Sequence, residues 1–270
     1  MSRDFDGVDD VISCGSASAI NDFTSLTISV WVNADNSGEA GEGRIFDKNL
    51  TTINSGQILS FFDSGTEPAP TLFYNRGFSL GTGQWYLGGA VSTGNWMNIA
   101  MTYAAVNTTS QPIFYVNLSQ GSTTTNVAPK GVVGSDNIYS LRFGSNSSGT
   151  RSFNGRMAYF HYYNRVLTKN EISQIARFPG SITNGLRGFL PLWGGTPEND
   201  YSGYGNTGTI TGAIFSIDNP PVNRVFGYKR SRLWDMSLIP VVTTIGTKLS
   251  VLVSTKFSVL DRTKVTVIDE

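Results

Sequence analysis

The sequence predicts an all-β sandwich of the jelly-roll type with one short helix, followed by a C-terminal arm of β-repeats. Three observations carry that expectation. Apolar residues alternate with polar ones in short bursts, the period of a half-buried strand. Turn-forming Gly, Asn, Asp, Ser and Thr separate the bursts about every 10 to 20 residues, which suits a sandwich better than alternating α/β units. The chain of 270 residues contains 30 glycines, where average usage gives roughly 19.

Taken in order, residues 26–32 (Leu-Thr-Ile-Ser-Val-Trp-Val) form a strand with Leu26, Ile28, Val30 and Val32 on one face. Thr27, Ser29 and Trp31 take the other. Strands are expected again at 57–63, 70–75, 96–103, 112–117, 138–143 and 155–163. Gly81-Thr82-Gly83, Gly88-Gly89, Gly94-Asn95 and Gly144-Ser145-Asn146 supply turn positions. The stretch from Gly81 to Gly94 is therefore read as a loop carrying Trp85 and Tyr86. Trp31, Trp96 and Trp193 fall in apolar strand patterns and are expected in the core.

Thr168-Lys169-Asn170-Glu171 has the spacing of a capping box, and Ile172, Ile175 and Ala176 follow on one helical face. Pro179-Gly180 stops this helix, which should lie as a lid across a sheet edge. The last residues repeat with a period of eight: Thr247-Lys-Leu-Ser-Val-Leu-Val-Ser, Thr255-Lys-Phe-Ser-Val-Leu-Asp-Arg and Thr263-Lys-Val-Thr-Val-Ile-Asp-Glu. An even period keeps one face throughout a continuous strand, so Leu249, Val251, Phe257, Val259, Val265 and Val267 align. Such a ribbon offers unpaired edges and suits docking or oligomerisation. The consecutive prolines Pro220-Pro221 open a stiff bridge to it.

Charge and cysteine content exclude several classes. Lys+Arg and Asp+Glu are 20 each, so a nucleic-acid partner bound through phosphates is not expected. The balance is a cancellation: residues 1–228 hold 13 basic and 16 acidic side chains, residues 229–270 hold 7 and 4. With 39% hydrophobic and 12% aromatic residues the chain can form a large core. No apolar run reaches the length of a membrane-spanning helix, so no membrane partner is expected. Cys14 is the single cysteine, which precludes an intrachain disulfide. The start Met-Ser-Arg-Asp-Phe-Asp-Gly has no apolar stretch behind its basic residue, so export by a cleaved signal is not expected.

Several segments together resemble the laminin-G-like, concanavalin A-like jelly rolls. Phe5-Asp6-Gly7-Val8-Asp9-Asp10 is similar to the opening strand of that family, and 26–32 to its Trp-bearing strand. Trp96-Met97-Asn98-Ile99-Ala100-Met101-Thr102-Tyr103, Phe114-Tyr115-Val116-Asn117 and Phe153-Asn154-Gly155-Arg156 follow in the family's order. Tyr163-Asn164-Arg165-Val166-Leu167 and the capped helix complete it. The block from Phe189 through Asp200 to Thr209 resembles a piece that precedes the opening strand in many relatives. The resemblance implies a circular permutation in which 207–213 returns to pair near the N-terminal strand. Two segments are expected: a jelly roll over 1–228 and an arm over 229–270.

The resemblance admits glycan-binding modules, adhesins and glycanases, so candidate sites are weighed singly. A retaining glycanase needs two carboxylates about 5 Å apart, and the family's Glu-x-Asp-x-x-Glu strand is missing from this sequence. His161, the only histidine, could serve a lyase with a neighbouring Tyr, but an ordinary outward strand position is the simpler reading. Cys14 is read as a structural thiol. The resemblance also admits a structural calcium ion, with Asp6, Asp9, Asp10, Asp63 and Asp200 as candidate ligands; no other cofactor is expected. For glycan recognition, Trp85 and Tyr86 must expose at least one ring or fold it over the sheet, and Tyr74, Arg76 and Tyr204 could join them.

The expected function is a non-catalytic structural or adhesion protein of a tailed-bacteriophage virion. The jelly roll is displayed outward to host-surface glycans, and the arm attaches it to other virion proteins or to itself. The alternative is a stand-alone carbohydrate-binding module or a glycan-cleaving enzyme of the same fold.

Overall fold

The computed structural model describes residues 1–49, 55–63, 70–222, 242–245 and 248–251. The chain divides into two compact units, Met1–Val225 and Phe226–Glu270. In the first unit the strands are β1 (Ser2–Asp6), β2 (Val11–Ser13), β3 (Ser25–Ala34), β4 (Arg44–Lys48), β5 (Gln57–Phe62), β6 (Thr71–Phe78), β7 (Gly81–Gly88) and β8 (Met97–Ala104). They continue as β9 (Ile113–Val116), β10 (Ser119–Gln120), β11 (Ser122–Val127), β12 (Arg142–Phe143) and β13 (Asn154–Tyr163). Helix α1 (Lys169–Arg177) precedes β14 (Leu186–Leu190), β15 (Thr209–Thr211) and β16 (Ile214–Ser216). The first sheet runs β10-β9-β8-β3-β13-β1-β16, with β14 also on β13, and the second runs β11-β7-β6-β5-β4-β12-β2-β15. The result is a jelly-roll sandwich of the concanavalin A type. Among the described residues no helix is long and apolar enough to cross a membrane.

The core lies between the sheets. Leu26, Ile28, Val30 and Val32 of β3 face it at full burial, as their alternation requires. Trp31 and Thr27 on the reverse face are buried too: α1 packs on Trp31, and Thr27 Oγ1 donates to Arg165 O and accepts from Leu167 N in the segment before the helix. Thr168 Oγ1 accepts from the Glu171 backbone and the Glu171 side chain accepts from the Thr168 N–H, completing the capping box. Ile172, Ile175 and Ala176 pack with Trp31, Tyr159 and Tyr163, and the Trp31 indole donates to Ala176 O at 3.0 Å. The helix therefore covers the outer face of β3 and β13, two central strands, rather than a sheet edge. A sheet with β3 in its middle buries both faces only if something covers the outer one.

Segment 209–216 closes both sheets: Ile210 pairs with Ile12 in the second, and Phe215 pairs with Arg3 in the first. The expected return of 207–213 to the N-terminal strands is thus realised. Two strand expectations need correction. Of 138–143 only Arg142–Phe143 is extended, because Tyr139 turns back to Asp136 O at 3.1 Å. The Gly-rich stretch from 81 is strand β7, not a loop. A Cβ on Gly83 would stand 2.2 Å from the Trp85 ring, so glycine there makes room for an inward indole rather than a turn.

In the second unit β17 (Val242–Ile245) pairs with β18 (Lys248–Val251), Val242 opposite Val251. Leu249 and Val251 belong to β18; Phe257, Val259, Val265 and Val267 lie outside the described residues. The expected boundary at 228 also falls outside them.

Candidate functional site

Strand parity decides which aromatics a ligand can reach. On β6, Tyr74 and Arg76 turn inward, and on β7 so does Trp85; all three have 0% exposure. None of them can touch a glycan, which corrects the expectation for each. Trp85 stacks on Tyr74 with centroids 5.9 Å apart and meets Tyr103 at 5.3 Å. Arg76 and Tyr74 instead serve a buried polar network. Asp136 accepts from Lys48 Nζ at 2.8 Å and from Gln57 Nε2 at 2.9 Å, and Arg76 Nη1 stands 3.5 Å from it. Gln57 also bonds the hydroxyls of Tyr162 and Tyr74. Lys48, Gln57, Arg76 and Asp136 each have 0% exposure, so the pairing offsets desolvation that would otherwise be prohibitive.

Tyr86, one residue past Trp85, points out of the second sheet. It is half-buried, and Phe73 stands opposite it on β6. Tyr86 lies 5.0 Å from both Phe73 and Phe62, and Phe62 lies 6.1 Å from Phe73. These three half-exposed rings form one platform across β5, β6 and β7. Two residues along β7 and β6 from Tyr86 and Phe73, Gln84 pairs with Asn75, about 7 Å from those rings. The row thus sets side-chain amides beside an aromatic surface.

Two acidic side chains near β4 are held by arginines. Asp47 is buried beside Arg44 Nε at 3.3 Å; burial pushes its carboxyl up to about 6, with Arg44 opposing. Glu42 lies 3.7 Å from Arg44 and 3.5 Å from Arg151. Burial, then the Glu42 charge, raises the Tyr86 hydroxyl. Phe62 and Phe73 were missed in the sequence because each sits in a strand whose faces the alternation leaves equally apolar.

The remaining candidates are dispersed. Tyr204 is 47% exposed, with the Arg187 guanidinium 4.7 Å above its ring; Arg187 belongs to β14 of the first sheet, so Tyr204 does not join Tyr86. His161 does face outward from β13, yet it is buried under the turn after α1. Its Nε2 accepts from Gly180 N at 2.9 Å, it stacks on Phe189 at 4.5 Å, and burial lowers its pKa to about 3. It is a neutral packing group. Cys14 is buried and its thiol is pushed up by burial. Trp31 is core as expected, Trp96 is half-buried, and Trp193 departs from expectation at 40% exposure, resting near Tyr159 and Tyr201.

Carboxylate oxygens of Asp6, Asp9 and Asp10 lie within 4.8 Å of one another. Asp10 accepts from Asp6 N and Asp6 from Val8 N, both at 2.8 Å. Their chemistry suits a hard cation, and two of the three carboxylates also hold a turn. Asp200 instead accepts from the backbone of Phe189, Ser202 and Asn206, which fixes a loop. Asp63 accepts from Ser37 Oγ at 3.3 Å.

With this geometry in place, the chain belongs to the concanavalin A-like lectin/glucanase superfamily, whose laminin G model matches residues 6–173. No curated protein sequence matches it. Among solved structures it is similar to a Bacteroides ovatus protein described as carbohydrate-binding, with 20% identity and a TM-score of 0.59. That alignment covers 82% of this chain and 61% of the other, so the chain spans about three fifths of its length. A heptameric SAP-like pentraxin from Limulus polyphemus is 15% identical, with 69% and 83% covered and a TM-score of 0.48. A carbohydrate-binding module of a Ruminococcus gnavus sialidase is 13% identical, with 65% and 97% covered and a TM-score of 0.45.

Proposed function

We propose that the Met1–Val225 unit is a carbohydrate-binding domain whose ligand lies on the Tyr86, Phe73 and Phe62 platform. The observation that carries this is three half-exposed rings at 5.0 to 6.1 Å flanked by the amides of Asn75 and Gln84. Ring faces carry the negative side of their quadrupole and attract the polarised C–H groups of a sugar, while amides bond its hydroxyls. Burial and then the Glu42 charge raise the Tyr86 hydroxyl, and Glu42 lies beside Arg44 and Arg151, which favours binding over cleavage. A glycan array followed by calorimetry tests the reading. Tyr86→Ala with Phe73→Ala should weaken binding by about tenfold or more, the equivalent of about 1.4 kcal/mol, with the circular dichroism unchanged. Unchanged affinity in that variant, or release of reducing ends, would sink it.

The setting we propose is a bacteriophage virion, where the jelly roll acts as a displayed adhesion domain and the octad arm joins it to its neighbours. A separate C-terminal unit with a repeated strand pattern supports an attachment role, since strand addition needs only an extended segment and an open edge. Expression beside the other particle components, with and without residues 226–270, provides the measurement. Loss of incorporation on truncation is expected; full incorporation of the truncated chain would remove the arm from this role.

A further inference from the structure

Beyond the Gln57 end of β5, segments 16–22 and 135–138 meet around an open cavity of about 460 Å³, a size within the range of small-molecule sites. Its lining is Ser16, Ser18, Asn21, Asp22, Asn137 and Ile138. Reciprocal bonds fasten the two segments together. Asp22 N donates to Asp136 Oδ1 at 2.8 Å, and Asp136 N donates to Asp22 Oδ1 at 2.9 Å. Ser135 Oγ donates to the same Asp22 oxygen at 2.7 Å. Asp136 also holds Lys48 and Gln57 inside the sandwich, so the cavity wall is anchored to the core. The Asn21 amide donates to Ser16 O at 3.1 Å and to Asn137 O at 3.4 Å, and its Oδ1 is buried without a donor. A buried acceptor in that state costs free energy until a donor reaches it.

We propose that this cavity binds a neutral hexose residue, as a sugar site separate from the aromatic platform. Its fixed groups are acceptors: Asn21 Oδ1, the Asp22 carboxylate and the carbonyls of Ser16 and Asn137. A ring carrying several hydroxyls supplies donors to these oxygens, and the hydroxyls of Ser16 and Ser18 and the side-chain amide of Asn137 return donors to the ring. Ile138, 75% exposed, offers an aliphatic surface to the C–H groups of the same ring. The Asp22 carboxylate disfavours acidic sugars by like-charge repulsion. Because Asp22 and Asp136 each accept from the other's backbone, the wall is in place before a ligand arrives, which lowers the cost of binding. The cavity lies past Gln57 and the platform includes Phe62, the two ends of β5, roughly 17 Å apart along the strand. The two sites are therefore independent, and one unit engages two sugars at once.

The test titrates the methyl glycosides of glucose, galactose and mannose into the isotopically labelled full chain, with glucuronate as the anionic control. The readout is the NMR signals of the Asn21 and Asn137 side-chain amides. Saturable shifts of both with at least one neutral glycoside are expected, and weaker binding of glucuronate. Ser18→Ala with Asn137→Ala removes two exposed side chains and should weaken that glycoside by about fivefold or more, read at Asn21. Tyr86→Ala with Phe73→Ala should leave the shifts unchanged. No shift with any of the three glycosides, equal affinity in the Ser18 and Asn137 variant, or tighter binding of glucuronate would overturn the proposal. Loss of the shifts in the Tyr86 and Phe73 variant would overturn it as well, by placing the sugar on the platform. If the cavity shifts persist while that variant keeps its full affinity for the array glycan, the platform reading alone is wrong.

Discussion

Asp136 pairs with two buried cations, Lys48 at 2.8 Å and Arg76 at 3.5 Å. Asp136→Asn removes the carboxylate that both contact, so a loss of about 3–5 kcal/mol is expected, measured by urea unfolding. His161 gives a pH test at the same scale. Its folded pKa near 3 lies below the ordinary value of about 6.5, so the unfolded chain binds its proton first. Stability from this group is whole above about pH 6.5 and is lost as pH falls toward 3, by up to about 1.4 kcal/mol per pH unit. Asp47 acts in the opposite sense. Its carboxyl, raised to about 6, is protonated first in the folded state and adds stability as pH falls below that value. His161→Gln removes the first effect and keeps the second. Between pH 6.5 and 4.5 the wild type should therefore lose about 2–3 kcal/mol relative to the variant, read from denaturation at the two pH values. None of the interior network was legible in the sequence, because Lys48, Gln57, Arg76 and Asp136 come from four separate segments.

Strand β3 and helix α1 show what local pattern determines and what it leaves open. Leu26 to Val32 alternate strictly, so both faces of β3 were assigned correctly. The Thr168 to Glu171 box located the start of α1, and Thr168→Ala should cost about 1 kcal/mol in thermal unfolding. Where the helix rests was not legible, since its stripe of Ile172, Ile175 and Ala176 fits a sheet face as well as an edge. Strand β7 misled for a different reason. Glycine at 83 signals a turn in isolation, and only the indole of Trp85 lying over it reveals the need for a missing side chain. Gly83→Ala should displace that ring and cost about 1–3 kcal/mol, with a shifted tryptophan emission as the readout. Read as a loop, residues 81–94 carry no alternation, and Trp85 is expected in the site with Tyr86. Parity sends the first inward and the second outward.

At the scale of the molecule, the jelly roll holds its own core and residues 226–270 form a second unit. The Met1–Val225 unit alone should unfold cooperatively with a melting temperature within about 4 °C of the full chain, a difference worth no more than about 1 kcal/mol. Calorimetry of both forms checks this, and a broad or absent transition in the shorter one would make the arm part of the fold. The order of strands has one further effect, on synthesis. Strand β1 is made first but is held between β13 and β16, and Arg3 bonds to the carbonyl of Ala213, 210 residues later. The same guanidinium meets Glu198 at 2.6 Å in the interior. Neither partner exists until synthesis has reached residue 198 for the one and 213 for the other. Closure of both sheets must then wait for residues 209–216, and until they emerge β1 and β2 each lack a neighbour. A chain of such long-range pairings folds slowly and, as it is translated, folds late.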